Sequence, residues 1–183
     1  ETGIDPTIAD VYRLILLTGL RSGEAVSVSF ENVDLEATTL LIPFTKSGRP
    51  HRVPLSAPAL RLIERRREVN AGEWLFPAVK NKNNPIRVDA LQAPLREAMP
   101  KLKVLPFTPH DLRRTFATGL ARRPIQASRL LISLALNHRV KGVTDQYDRH
   151  SYDDELREVF ESWGNRVDAL EAGESEGTEQ KAA

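Results

Sequence analysis

The sequence predicts a mainly α fold with a small antiparallel β-sheet, an α+β arrangement, and three observations predict it. Apolar residues recur at helical spacing in separate stretches from Asp5 to Leu170. Two short runs rich in β-formers flank a Ser-Gly turn. The chain has 183 residues, of which 40% are apolar, so it forms one domain large enough to bury a real core.

From Asp5 to Leu17 the residues Ile8, Val11, Tyr12, Ile15 and Leu16 repeat with helical period, Gly19 is a suitable stop, and Tyr12 belongs to the core. Arg21 follows that stop and precedes a short helix through Glu24, Ala25 and Val28, a turn position that can hold a guanidinium rigidly. Thr38 to Phe44 and Arg52 to Leu55 read as the two strands of a hairpin around Ser47-Gly48, which sets Lys46 near its tip. Pro43 argues for an edge strand. Pro58 to Val69 is the next helix, and its Arg65-Arg66-Arg67 triplet reads as a solvated face. Glu73 to Pro77 reads as a short buried segment, Asn81 to Pro85 as a loop, and Val88 to Met99 as a helix despite Pro94.

Thr108-Pro109 opens another helix, with a hydroxyl at the N-cap and proline at the first helical position. At about 100° per residue, His110 and Arg113 share one face of it and Leu112, Phe116 and Gly119 lie on the other, so one face is presented and one packed. Leu130, Leu131, Leu134 and Ala135 form a further helix ending in Leu136-Asn137-His138, and Tyr147 follows nine residues later. From Asp153 to Leu170 a stripe of Leu156, Val159, Phe160, Trp163, Val167 and Leu170 needs an apolar groove, on this domain or on a neighbouring copy. Tyr152 is expected against that helix. His51 and His150 fit no motif and are expected at the surface.

Net charge is +1, but the charges are segregated: residues 1–42 hold 2 basic and 7 acidic side chains, residues 43–149 hold 21 and 8, and residues 150–183 hold 3 and 10. A basic middle between acidic ends suits a phosphate backbone. With no cysteine there are no disulfides, thiol nucleophiles or Cys-based metal sites. No run is long enough to span a membrane, and no N-terminal stretch looks like a signal peptide, so an intracellular setting is expected. The chain opens at Glu1 without methionine and reads as part of a longer protein.

These motifs, taken together, resemble the tyrosine recombinase (phage integrase) family, in which His-x-x-Arg, Leu-Gly-His and a tyrosine about nine residues later form one site. Upstream, Thr18-Gly19-Leu20-Arg21-Ser22-Gly23-Glu24 matches the family's arginine string, and Thr45-Lys46-Ser47-Gly48-Arg49-Pro50, followed by Arg52-Val53-Pro54-Leu55, matches its lysine hairpin. Four motifs in the right order are far more specific than any one. The main departure is Asn137 where glycine is common, and asparagine is the next-best residue for a left-handed conformation.

The resemblance implies a tyrosine recombinase catalytic-domain fold over residues 1–170, an acidic disordered tail over 171–183, and N-terminal DNA-binding domains that lie outside this chain. It implies catalytic roles for Arg21, Lys46, His110, Arg113, His138 and Tyr147, with Glu24 as an orienting acid. Tyr147 would attack a DNA phosphodiester to give a 3′-phosphotyrosine, with His110 accepting its proton and Lys46 protonating the leaving oxygen. Arg21 and Arg113 would grip the phosphate and His138 would donate to it. No cofactor or metal is implied, and the sequence offers no carboxylate cluster for paired Mg²⁺. The expected partners are double-stranded DNA and further copies of the protein, as a tetramer on DNA at full length, with no membrane, in the cytoplasm at the nucleoid. A type IB topoisomerase-like strand transferase shares this chemistry but generally carries lysine at the position of His138. A non-catalytic DNA-binding assembly module would have lost a site residue, and all six are present.

Overall fold

The computed structural model describes residues 3–102, 104–138 and 152–173. Among the described residues, seven α-helices and one small sheet follow in the order α1 (Pro6–Thr18), α2 (Ser22–Val26), β1 (Val33–Asp34), β2 (Thr39–Ile42), β3 (His51–Pro54), α3 (Ala57–Val69), α4 (Gln92–Leu102), α5 (Pro109–Ala121), α6 (Arg129–Ala135) and α7 (Asp153–Glu171). Short 3₁₀ turns at Phe30–Asn32 and Val88–Leu91 precede β1 and α4. The mainly helical α+β expectation holds. Among the described residues no helix is long and apolar enough to cross a membrane.

Helix α1 is the central strut. Asp5 caps it by accepting from the amides of Thr7 (2.8 Å) and Ile8 (3.4 Å), and Pro6 occupies the first turn, where no amide donor is needed. Its Val11, Leu14, Ile15 and Leu17 are fully buried against α3, α5 and α7. It stops at Gly19, whose φ of 65° is left-handed. A Cβ at Gly19 would collide with the Phe116 ring, so α5 crosses directly over the end of α1. That close approach builds the site described below.

The sheet is antiparallel in the order β1-β2-β3, with Leu40 opposite Val53 and Ile42 opposite His51. Strand β2 is therefore central, and Pro43 lies beyond its end, so the edge-strand reading of Pro43 is corrected. His51 is corrected as well. Strand β3 begins one residue earlier than expected, and period-two alternation carries His51 inward with Val53, leaving it 5% exposed. His150 lies outside the described residues.

In the arginine triplet of α3, Arg65 and Arg67 are exposed as expected, but Arg66 is buried. Its Nε donates to the Leu75 carbonyl at 3.3 Å, its Nη1 lies 3.8 Å from Asp10, and its guanidinium stacks on the Phe76 ring. Paired and stacked, a cation tolerates that burial. Tyr12 packs on the core, and its hydroxyl donates to the Leu91 carbonyl at 2.5 Å, while burial pushes its pKa up to about 12. Pro94 is accommodated because it stands in the first turn of α4.

Helix α7 folds back onto its own domain. Phe160 meets Phe116 with ring centroids 5.2 Å apart, Trp163 meets the same ring edge-on at 6.1 Å, and the indole Nε1 donates to the Leu16 carbonyl at 2.8 Å. A Cβ at Gly119 would collide with Trp163, so α5 and α7 touch through a glycine. The apolar stripe is thus core in cis, save for the half-exposed Leu170. The helix also includes Glu171, the first residue of the segment expected as a tail, which ion-pairs with Arg13. Tyr152 is partly buried at the helix N-cap.

Candidate active site

Three chain segments converge where α1, α5 and α6 end or begin. Arg21 stands at the N-cap of α2, just after the Gly19 stop. Glu24, only 7% exposed, holds it twice: one carboxylate oxygen accepts from the Arg21 amide at 3.0 Å, and the other accepts from Arg21 Nη1 at 2.9 Å. Glu24 thus fixes both the backbone amide and the guanidinium of Arg21. The guanidinium keeps part of its surface in solvent, with a side-chain exposure of 27%.

Arg113 comes from the first half of α5, whose start is fixed by Thr108: both its amide (2.9 Å) and its hydroxyl (2.7 Å) donate to Asp111. The expectation that His110 and Arg113 share a presented face is half corrected. His110 is exposed in the first turn, but Arg113 is buried at 5%. Because α5 lies so close over Gly19, the guanidinium reaches inward, where Nη1 donates to the Gly19 carbonyl and Nη2 to the Leu136 carbonyl at 2.8 Å. One side chain thus joins the end of α1 to the end of α6. Burial, then the neighbouring Arg21 charge, lower its pKa to about 10, with Glu24 opposing them. The group remains a cation at neutral pH.

His138 is set by the way α6 stops. Asn137 adopts a left-handed φ of 50°, its amide donates to the Leu134 carbonyl at 2.9 Å, and the His138 amide donates to the Ser133 carbonyl at 2.9 Å. This is a Schellman cap, which turns the chain sharply and aims the next side chain back toward α5. His138 Nε2 lies 3.3 Å from Arg113 Nη2. Burial, Arg113 and Arg21, in that order, hold its pKa below the usual histidine value. A cleft of about 360 Å³ opens beside the imidazole, lined in part by His51, Arg52, Asn137 and Leu156.

Lys46 is exposed on the loop between β2 and β3. That loop is structured: the Gly48 amide donates to the Thr45 carbonyl at 3.0 Å, and the Thr45 hydroxyl donates to the Arg49 carbonyl at 2.6 Å. The Asn137 amide group reaches it from α6, 3.0 Å from the Ser47 hydroxyl and 3.3 Å from that of Thr45. Sequence reasoning missed this tie and the two carbonyls that anchor Arg113. Hydroxyls on both sides of Lys46 were the available signal for the tie, and nothing local marks the carbonyls. Tyr147 lies outside the described residues.

The structure thus brings Arg21, Glu24, Arg113 and His138 into one cluster of two cations, one imidazole and one orienting carboxylate. Such a cluster can bind a tetrahedral oxyanion and stabilise added negative charge.

The chain as a whole is similar to known proteins. The model of the phage integrase family matches residues 6–154. Tyrosine recombinase XerS of Lactococcus lactis subsp. cremoris (strain MG1363) is 31% identical over 165 residues, covering 83% of this chain and 44% of that protein. Among solved structures, an integrase from mycobacterium phage Brujita superposes with a TM-score of 0.68 at 19% identity, over 86% of this chain and 52% of the other. A lambda integrase (75–356) dimer bound to a COC′ core site gives 0.61 at 17% identity, over 74% of this chain and 51% of the other. This chain spans 38–44% of the length of the first three curated relatives it matches.

Proposed function

Because this chain belongs to the phage integrase family, we propose that it is the catalytic part of a site-specific DNA recombinase that cuts and rejoins strands through a 3′-phosphotyrosyl intermediate. The observation that carries the reading is the convergence of Arg21, Arg113 and His138 from three separate motifs.

In the proposed reaction, the two arginines and His138 receive the non-bridging oxygens of one DNA phosphodiester. Tyr147 Oη attacks phosphorus, and its proton passes to His110. The bond from phosphorus to the 5′-oxygen breaks, and Lys46 supplies the proton that makes the leaving group a 5′-hydroxyl. One phosphodiester becomes one phosphotyrosyl ester. Its bond energy is retained, so a 5′-hydroxyl from another strand reverses the steps without ATP. An ordinary phenol ionises near a pKa of about 10, so the reaction near neutrality needs both the base and the cationic setting.

An arginine nitrogen can only donate, so the contact with Arg113 requires a lone pair on His138 Nε2 and a proton on Nδ1. His138 would accordingly donate to phosphate through Nδ1–H. Arg113 gives one Nη1 and one Nη2 hydrogen to carbonyls and its other Nη2 hydrogen to His138, so its second Nη1–H and its Nε–H are those available to phosphate. The partners proposed are double-stranded DNA and further copies of the protein, assembling on DNA as a tetramer at full length, in the cytoplasm at the nucleoid. The basic segment 43–149 provides the attraction to the backbone.

The test starts from a random-sequence library of nicked duplexes, in which the short strand beyond the cut diffuses away and traps the covalent complex. Recovered adducts should carry protein on the 3′ end and leave a 5′-hydroxyl. Protein on a 5′ end, or cleavage with no covalent adduct, refutes the proposal.

A further inference from the structure

The departure from the family pattern at Asn137 does more than accommodate a left-handed turn. Asn137 is 6% exposed, and its Nδ2 lies 3.0 Å from the Ser47 hydroxyl, 3.3 Å from the Thr45 hydroxyl and 3.4 Å from the Arg49 carbonyl. The Arg49 carbonyl can only accept, so the amide end of the side chain, not its carbonyl end, faces the loop. Thr45 and Ser47 flank Lys46, and their hydroxyls also meet each other at 2.8 Å. One buried carboxamide therefore braces the loop on both sides of the lysine. The same residue forms the left-handed end of α6, directly before His138.

We propose that Asn137 is a positioning residue, which fixes the Lys46 loop to the end of α6 so that general acid and phosphate-binding imidazole keep a constant relation. This rests on the reading of Lys46 as the acid. A glycine at position 137 would make the same turn but would have no side chain to reach the loop. The lysine would then have to find its place anew in each encounter, at an entropic cost. Asn137 touches no reacting atom and acts only through Lys46.

The test compares Asn137→Gly and Asn137→Asp with Lys46→Ala, all in the 183-residue chain, on a nicked duplex recovered from the library above. The glycine variant keeps the turn and loses the brace; the aspartate variant keeps the shape and loses the donor. Each duplex is made twice, with oxygen or with sulfur at the scissile 5′ bridging position, because a thiolate leaves without a proton. Amide exchange across residues 45–49 is followed in parallel.

On oxygen DNA both Asn137 variants should cleave about tenfold to hundredfold more slowly, a partial loss that stays at or below the roughly hundredfold lower end of what a general acid contributes. On sulfur DNA they should approach the unsubstituted protein, and Gly48 should exchange faster while α5 amides stay protected. Unchanged cleavage of oxygen DNA by Asn137→Gly overturns the proposal. So does a defect that sulfur leaves in place while rescuing Lys46→Ala, since that would make Asn137 part of the fold and not a brace for the acid. If sulfur fails to rescue Lys46→Ala itself, the acid assignment falls, and the role of Asn137 falls with it.

Discussion

Arg113 Nη2 sits between the Leu136 carbonyl at 2.8 Å and His138 Nε2 at 3.3 Å, so one nitrogen touches both the turn that carries the imidazole and the imidazole itself. The relation makes the charge state of His138 depend on Arg113, and it fixes the neutral ring as the form present when the two are in contact.

The pH behaviour follows. His138 has a folded pKa lowered by burial, Arg113 and Arg21. As pH falls through the ordinary histidine value of about 6.5, the unfolded chain takes up the proton first, so stability drops from there down to the folded pKa and no further. Imidazole resonances should give His138 a midpoint below the ordinary value, and Arg21→Ala should raise it. His138→Gln should flatten the pH slope of stability in that window. A midpoint at or above the ordinary value would mean that the two cations do not act on the ring.

The two arginines should separate by stability. Arg113→Lys keeps the charge but cannot serve the Gly19 and Leu136 carbonyls together, and leaving buried carbonyls unpaired costs about 1–3 kcal/mol each. Its thermal midpoint should fall together with its adduct yield. Arg21→Lys, on a partly exposed side chain, should lose adduct yield with stability changed by no more than about 1 kcal/mol. Equal melting of both variants would contradict the anchoring role of Arg113.

Much of this site was legible in the sequence, and the reasons for the misses are physical. The His-x-x-Arg spacing placed both residues on α5, but a helical wheel sends a charged side chain outward. What turns Arg113 inward is Gly19, far away in sequence, whose missing Cβ lets α5 approach until a carbonyl is in reach. Arg66 escaped notice for a similar reason, since its partners Asp10, Leu75 and Phe76 lie on other segments. His51 was misplaced because the strand was taken to start at Arg52; once it includes position 51, period-two alternation carries that side chain inward with Val53. The helix ends that were read fared better, because Gly19, Thr108 and Pro109 act on their immediate neighbours.

The last helix should behave as core. Trp163 is 5% exposed and fits against Gly119, so Trp163→Ala should cost about 3–5 kcal/mol. Half-site cleavage and recombination between two full sites should then fall in parallel, as they should on deleting residues 155–183. Loss of recombination alone, with half-site cleavage and melting temperature preserved, would restore the idea that this helix couples neighbouring copies.

The central claim is that Tyr147 becomes covalently joined to DNA at a phosphate held by Arg21, Arg113 and His138. The direct measurement is a denaturing gel of the protein incubated with labelled nicked duplex, comparing Tyr147→Phe with Tyr152→Phe. Tyr147→Phe should give no slow-migrating adduct, with DNA binding and thermal midpoint retained, and Tyr152→Phe should give a normal adduct. An adduct that survives in Tyr147→Phe and disappears in Tyr152→Phe would contradict that claim.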